Sequence, residues 1–409
     1  MSFIAIPRPP YLGAFLAYFL GMPIALVPQG PVTEPAATPR HLTVVQVLPA
    51  LENGGAERST LEVSRALVAA GHRSVVISSG GRMVERLERE GGEHVVLDVG
   101  SKSLRSVTRI GALRRVLTDI GPDIVHARSR VPAWLAWFAL RGMRPRPHFV
   151  TTVHGLNSPG RWSGIMTRGD RVIVVSQTVH DFVLSHYSRV NASRLTVIPR
   201  GIDPDAFPYG YRPDDIWRDQ FFAEFPQLAG APLLTLPGRG TRLKGHADAI
   251  ALVAGLRERG VDTRLLLLGV AEAGREAYLR ELQTLAHTRG VADIVAFSPP
   301  RNDVRDVFAV SDLILQLSNK PESFGRTVIE ALSLCRPVLG YAHGGVGELL
   351  AELYPAGRVP VGDINKLIDR AAELVGRAPP IPPMQRYRLA DMQDSVLALY
   401  QELAAEPRT

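Results

Sequence analysis

From Leu42 onward, short apolar runs of strand length alternate with amphipathic stretches of helical period, and they do so in two successive series. That double alternation limits the possible folds more than any single motif does. The first series places strands at Leu42–Leu48, Ser74–Ser78, His94–Leu97, Asp123–His126, Phe149–Val153, Val172–Ser176 and Leu195–Ile198. Helices fall between most of them, including Ala56–Ala70, Leu104–Leu117 and Val179–His186. The second series places strands at Leu233–Leu236, Arg264–Leu268, Ile294–Phe297, Leu313–Leu317 and Val338–Gly340. Its helices are His246–Arg259, Arg275–Thr288, Val304–Val310 and Arg326–Leu334. Strands with near-continuous Val, Ile and Leu, separated by helices, belong to parallel sheets covered on both faces. A Pro- and aromatic-rich stretch without clear periodicity, 201–230, divides the series. The expected fold class is α/β, with two doubly wound Rossmann-like domains facing one cleft. A length of 409 residues at 45% hydrophobic composition suits two such domains. The expected division is an apolar, Pro-rich extension at 1–40, a first domain at 41–200, a hinge at 201–230 and a second domain at 231–380. A closing helical segment at 381–409, helical over Gln385–Ala404, is expected to return to the first domain.

Ligands of doubly wound sheets bind beyond the carboxyl ends of the strands, so residues there are the candidates for chemistry. Glu322-Ser323-Phe324-Gly325-Arg326 joins a buried strand to a helix, and Glu330 follows about two turns into that helix. Unpaired helix N-terminal N–H groups suit an anion, and Gly325 lets the backbone come close to it. Two carboxylates flanking a phosphate site are what a sugar nucleotide needs, one for ribose hydroxyls and one for sugar hydroxyls. Taken alone, the pair also reads as a helix-terminal acid plus a solvated glutamate. Gly238-Arg239-Gly240-Thr241-Arg242-Leu243-Lys244-Gly245 follows the first strand of the second series. It puts Leu243 where a dinucleotide fingerprint needs its third glycine, and it lacks the P-loop order. What remains is a cationic loop in which Arg239 and Lys244 can neutralise a diphosphate, or simply a solvated basic loop. Gly54-Gly55 opens the first helix and reads as a phosphate or acceptor loop, or as a plain turn. His154, beside Gly155 at a strand end, is expected to face the cleft. His343-Gly344-Gly345 opens another helix, with glycine amides free for a phosphate or a sugar hydroxyl.

Charge is uneven: residues 1–200 carry 24 Lys and Arg against 13 Asp and Glu, residues 201–409 carry 23 against 27. A basic half without a nucleic-acid signature points to an anionic membrane surface. The basic, amphipathic Lys102–Leu117 stretch, with Arg105, Arg109, Arg114 and Arg115, reads as the docking helix or as an ordinary domain helix. Tyr11–Pro28 is an uncharged apolar run of borderline spanning length, read as a membrane-contacting anchor or a loose extension. The single cysteine, Cys335, excludes an internal disulfide framework and a Cys-based zinc site.

Together, Gly54-Gly55, His154-Gly155, Pro237 through Gly245, Glu322 through Glu330 and His343-Gly344-Gly345 resemble the retaining nucleotide-sugar glycosyltransferases of family 4, which have the GT-B fold. The resemblance covers roughly residues 42–405 and is similar in places to bacterial lipopolysaccharide core or surface polysaccharide enzymes. It implies that Arg239 and Lys244 bind the donor diphosphate and Glu330 the ribose. Glu322 and the Ser323-Phe324-Gly325 backbone, with Arg326 at the helix start, would hold the donor sugar. His154 would point at the donor sugar and reacting centre, Gly54 and Gly55 would shape the acceptor and phosphate side, and Gly344 and Gly345 would belong to the donor-nucleotide site. Ser323 stands where many members carry glycine. The implied reaction needs no metal and no cofactor beyond a nucleotide-sugar donor, expected to be UDP-linked. The implied partners are a saccharide or glycolipid acceptor and an anionic membrane, with no nucleic acid, at the inner face of the cytoplasmic membrane. A GT-B UDP-sugar epimerase and a non-catalytic module that binds sugar nucleotide or anionic lipid are the alternatives. A dehydrogenase is disfavoured by the broken glycine fingerprint.

Overall fold

The structure, a computed structural model, describes residues 40–52, 54–101 and 106–407. The Tyr11–Pro28 run lies outside the described residues. From His41 onward the chain forms one compact unit. The first sheet is built from β1 (Thr43–Val47), β2 (Arg73–Ser78), β3 (Glu93–Val96), β4 (Ile124–Ala127), β5 (His148–Val153), β6 (Arg171–Val174) and β7 (Leu195–Val197). The second contains β8 (Leu233–Pro237), β9 (Arg264–Leu268), β10 (Val295–Phe297), β11 (Leu313–Gln316), β12 (Val338–Tyr341) and β13 (Arg358–Val359). Helices α1 (Gly55–Ala69), α2 (Val84–Arg89), α3 (Ser106–Ile120), α4 (Arg130–Leu140) and α5 (Gln177–His186) accompany the first sheet. Helix α6 (Asp215–Glu224) comes between β7 and β8 in the chain, and α7 (His246–Glu258), α8 (Glu276–Thr288), α9 (Val304–Val310), α10 (Arg326–Ser333), α11 (Gly344–Leu353) and α12 (Ile364–Arg377) go with the second. The last helix is α13 (Leu389–Ala405).

Strand order is β3-β2-β1-β4-β5-β6-β7 in one sheet and β10-β9-β8-β11-β12-β13 in the other. Every pairing is parallel, for example Val47 with Ala127 and Thr235 with Ile314. The two sheets are therefore Rossmann-like, as expected. Strand order reverses between β1 and β4 in the first and between β8 and β11 in the second. The loops leaving those four strands diverge to opposite faces and open a crevice at each switch point. Val44, Val45, Val47, Leu234, Leu265 and Leu315 are fully buried, because helices cover both sheet faces.

Helix α13 lies on the first sheet, with Met392, Val396, Leu399 and Leu403 packed on Leu42, Val63, Leu67 and Ile124. Its Tyr400 hydroxyl meets Nδ1 of fully buried His126 at 2.6 Å, and His126 Nε2 meets Thr152 Oγ1 at 2.7 Å. Burial keeps His126 far below the ordinary imidazole value and raises Tyr400 to about 12.

The 201–230 stretch, expected as a hinge without clear periodicity, holds α6, whose N-terminus is capped by Asp214 accepting from the Trp217 amide. Stacked Trp217 and Phe221, with Phe225, supply the burial that periodicity did not advertise. In α3, Leu113 and Leu117 are core. Arg109 is bound to Asp98 and the Ser101 carbonyl, while Arg114 donates to the Ala139 and Phe138 carbonyls. Arg109 and Arg114 thus tie the helix into the domain, while Arg115 is exposed. Lys102 and Arg105 lie outside the described residues.

Candidate active site

The cationic loop after β8 ends in a single helical turn, Arg242–Lys244, and Gly245 then opens α7 with φ +76°. A Cβ on Gly245 would run into the Leu317 carbonyl, so only glycine lets the loop tuck under the end of β11. That close approach brings Lys244 Nζ to 2.7 Å from Glu322 Oε1. Ser318 Oγ also donates to Glu322, which leaves the carboxylate fixed at the switch point. Arg239 is exposed and makes no ion pair among the described residues. Arg242, the third cation of the loop, pairs with Glu281 and lies over the Tyr278 ring, so it is tied to α8. Buried His246 packs beneath the loop, and burial pushes it down to about 4.

Gly325 has φ +101° and opens α10. Phe324 is buried and packs near the Tyr387 ring, so only its backbone faces the cleft. The glycines of α11 differ from expectation. The Gly345 amide donates to the Glu322 carbonyl at 2.8 Å. A Cβ on Gly344 would stand 2.7 Å from that same carbonyl, and one on Gly345 would strike the Phe324 backbone. Gly344 and Gly345 thus seat the 322–325 loop, and the Gly345 amide is not open to a phosphate.

Opposite this loop, His154 leaves β5. Ser323 Oγ donates to the His154 carbonyl at 2.7 Å, and Ser176 Oγ donates to the Ser323 carbonyl at 2.6 Å. His154 Nδ1 meets Arg200 Nη2, while its Nε2 is buried without a partner. Burial first, then Arg200 and Arg128, hold His154 far below the ordinary imidazole value. Arg200 is buried with Ser59 Oγ and His154 as partners, and burial beside Arg128 and Arg326 pushes it down to about 9. Arg128 is buried too, donating Nε to Gln46 Oε1 at 3.0 Å.

Glu330 and Arg326 also turn out to be engaged with the facing domain. Glu330 is only 8% exposed and pairs with Arg58 of α1 at 3.1 Å. Burial raises its carboxyl above the ordinary value, against the pull of Arg58 and Arg326. Arg326 reaches Glu62 and the Gly201 carbonyl, bracing the two sides. Gly54 caps α1, where a Cβ would strike the Glu57 carboxylate, and Gly55 has open space around its Cα.

His154, Ser323, Glu322, Lys244, Glu330 and Arg326 therefore meet at one junction. Arg58, Glu62, Arg128, Ser176 and Arg200 were missed from the sequence. Of these only Arg200, a charge between the end of β7 and Gly201, carried a readable signal.

The Glycosyltransferase Family 4 model matches residues 53–206, and the Glycosyl transferases group 1 model matches residues 218–378. D-inositol 3-phosphate glycosyltransferase of Xylanimonas cellulosilytica is 34% identical over 56% of this chain and 58% of that protein. N-acetyl-alpha-D-glucosaminyl L-malate synthase of Bacillus anthracis is 26% identical over 62% of this chain and 65% of that protein. The chain thus spans less than two thirds of these relatives. A solved glycosyltransferase from Rickettsia africae superposes with a TM-score of 0.76 at 25% identity, over 90% of this chain and all of that one. Anabaena HepE, solved with UDP-glucose, shares the fold with a TM-score of 0.71 at 18% identity, over 88% of this chain and all of HepE.

Proposed function

The chain belongs to the family 4 glycosyltransferases of GT-B fold, and from that premise we propose that it moves a sugar from a nucleotide-diphosphate sugar to an acceptor hydroxyl. The observation that carries this reading is the meeting of His154 with the 322–325 loop, joined by the 2.7 Å hydrogen bond from Ser323 Oγ. It sets the carboxyl end of the first sheet against the anion-suited junction of the second. In the transfer, the bond from the anomeric carbon to the donor phosphate oxygen breaks, and a bond to the acceptor oxygen forms. The acceptor proton leaves with the diphosphate, and attack comes from the face the leaving group departs. Arg239, Lys244 and the α10 N-terminal amides stabilise the charge growing on the diphosphate. Glu322 accepts from donor-sugar hydroxyls, and Glu330 from the ribose once Arg58 releases it.

For the acceptor we propose a saccharide or glycolipid reached at an anionic membrane surface. Support comes from α4 and the segment after His154. Trp134 stacks on Phe138 and Trp162, and Phe138 and Trp162 are exposed. Arg141 and Arg168 lie over the Trp137 ring, and with Arg161 they have no acidic partner among the described residues. Residues 128–171 hold eight arginines and one acid, Asp170. Aromatic rings and unpaired arginines suit the headgroup level of an anionic leaflet. No helix among the described residues is long and apolar enough to cross a membrane.

A panel of nucleotide sugars, UDP sugars first, tests the reaction by release of free nucleoside diphosphate. Slow donor hydrolysis with at least one sugar, accelerated by a saccharide acceptor, is the expected result. A folded protein that releases no diphosphate from any donor, with or without acceptor, would sink the transferase reading. Epimer formation without acceptor would replace it.

A further inference from the structure

The two nitrogens of His154 are in unlike situations. Nδ1 is met by the Arg200 guanidinium, and Nε2 is buried with no partner. A guanidinium has five N–H donors and no acceptor, and it stays protonated at neutral pH. A nitrogen facing it must therefore offer a lone pair. Such an imidazole carries its one proton on the other nitrogen.

We propose that Arg200 is a positioning residue that locks His154 as a neutral ring with its proton on Nε2, so that His154 meets the substrate as a hydrogen-bond donor and not as a proton acceptor. Arg200 is itself held. Ser59 Oγ of α1 accepts from its Nη1 at 2.7 Å, and only 9% of the residue is exposed. The guanidinium cannot swing away without losing that bond inside the protein. The other groups bearing on His154 act in the same direction. Arg128, donating to Gln46, adds a second buried cation, and His126 on β4 is itself kept neutral. Glu62, Arg58, Arg326 and Glu330 pair among themselves beside Arg200, and none of the two carboxylates contacts His154. Among the described residues no acid is placed to pull a second proton onto the ring.

The consequence bears on the chemistry. A neutral ring with its proton on Nε2 and its Nδ1 lone pair facing Arg200 has no free lone pair and cannot take the proton of the acceptor hydroxyl. It can donate to a hydroxyl or ring oxygen of the sugar, which supplies the partner Nε2 lacks. The acceptor proton must then go elsewhere, to the leaving diphosphate. Only this last step rests on the transferase reading. The state of the ring does not.

Imidazole nitrogen NMR on the full chain, labelled with ¹⁵N at histidine, tests the lock directly. The His154 signals are identified by their loss in His154→Gln. The expected wild-type result is a protonated Nε2, an unprotonated Nδ1, and no titration between pH 5 and 8. In Arg200→Met the ring, still kept uncharged by burial, should lose its single tautomer and show the Nδ1-protonated form, with transfer falling about tenfold or more. Arg200→Lys, which still presents a cationic donor, should restore the wild-type tautomer. A wild-type His154 that carries its proton on Nδ1, or that charges between pH 5 and 8, overturns the proposal even if Arg200→Met fails to fold. So does an Arg200→Met ring that keeps the wild-type signals. Absence of diphosphate release from every donor would remove the transferase reading and leave the tautomer measurement standing.

Discussion

Arg58 of α1 and Glu330 of α10 form an ion pair, 3.1 Å apart, across the junction of the two sheets. The carboxylate expected to hold the donor ribose is thus already in use, with a guanidinium from the opposite domain in the place of a hydroxyl. On the proposed reading, donor binding would exchange one partner for the other.

Replacing Arg58 by Met should therefore make nucleotide binding pH-dependent. Burial raises the Glu330 carboxyl and Arg58 restrains that rise, so its loss lifts the carboxyl further. The folded protein then holds the Glu330 proton more tightly than the unfolded chain does. For such a group stability is greatest below the unfolded value and declines as pH rises through the folded one. Calorimetric titration with UDP should show affinity falling from pH 7 to pH 5 more steeply in R58M than in wild type. Parallel pH profiles would mean that Glu330 does not contact the nucleotide.

Arg239 and Lys244 should separate by stability. Arg239 is exposed, so Arg239→Ala should leave Tm unchanged while raising the transfer barrier by about 2–4 kcal/mol. Lys244→Ala should cost similar activity and lower Tm as well, because it strips the cation from partly buried Glu322. Single-turnover kinetics and thermal melts on both variants check this. Full turnover in both folded variants would remove the loop from the site.

Gly245→Ala should destabilise on the order of 3 kcal/mol, since a positive φ and a clash with the Leu317 carbonyl act together. Gly260→Ala, at φ +74° with open space around it, should cost only about 1 kcal/mol. Denaturant unfolding of the two variants compares them. Equal losses would show that backbone strain alone matters and that the approach to β11 does not.

Vesicle binding should follow the aromatic and arginine patch and not α3. Each arginine near an anionic leaflet adds about 1 kcal/mol, screened by salt. Arg141→Glu with Arg168→Glu should abolish flotation with phosphatidylserine vesicles at low salt, and Arg115→Ala on α3 should not. Retention of binding in the double variant would place attachment elsewhere.

Much of the fold was legible because the signals are local. Apolar runs such as Leu42–Leu48 and Leu313–Leu317 read as strands covered on both faces, and β1 and β11 begin and end within one residue of them. The 201–230 stretch was less legible, because α6 is held by stacked aromatics and by Trp217 Nε1 donating to distant Asp303. The helix has no face that periodicity alone reveals.

The sequence by itself determined the two doubly wound domains, their order, and which strand ends carry Lys244, Glu322 and His154, with Glu330 in the helix that follows. Glycine placement, apolar period and strand termini depend on neighbours a few residues away. Tertiary structure alone decided what those residues touch. Lys244 is 78 residues from Glu322, Ser323 is 169 from His154, and Arg58 is 272 from Glu330. Such pairs form only when two separately built sheets meet, and the pairing changes each group's state. Burial and a guanidinium keep His154 neutral, Arg58 occupies Glu330, and the Gly345 amide serves the Glu322 carbonyl. Local sequence carries the identity of a charge, while its protonation and its free partners depend on desolvation and on groups brought from far along the chain.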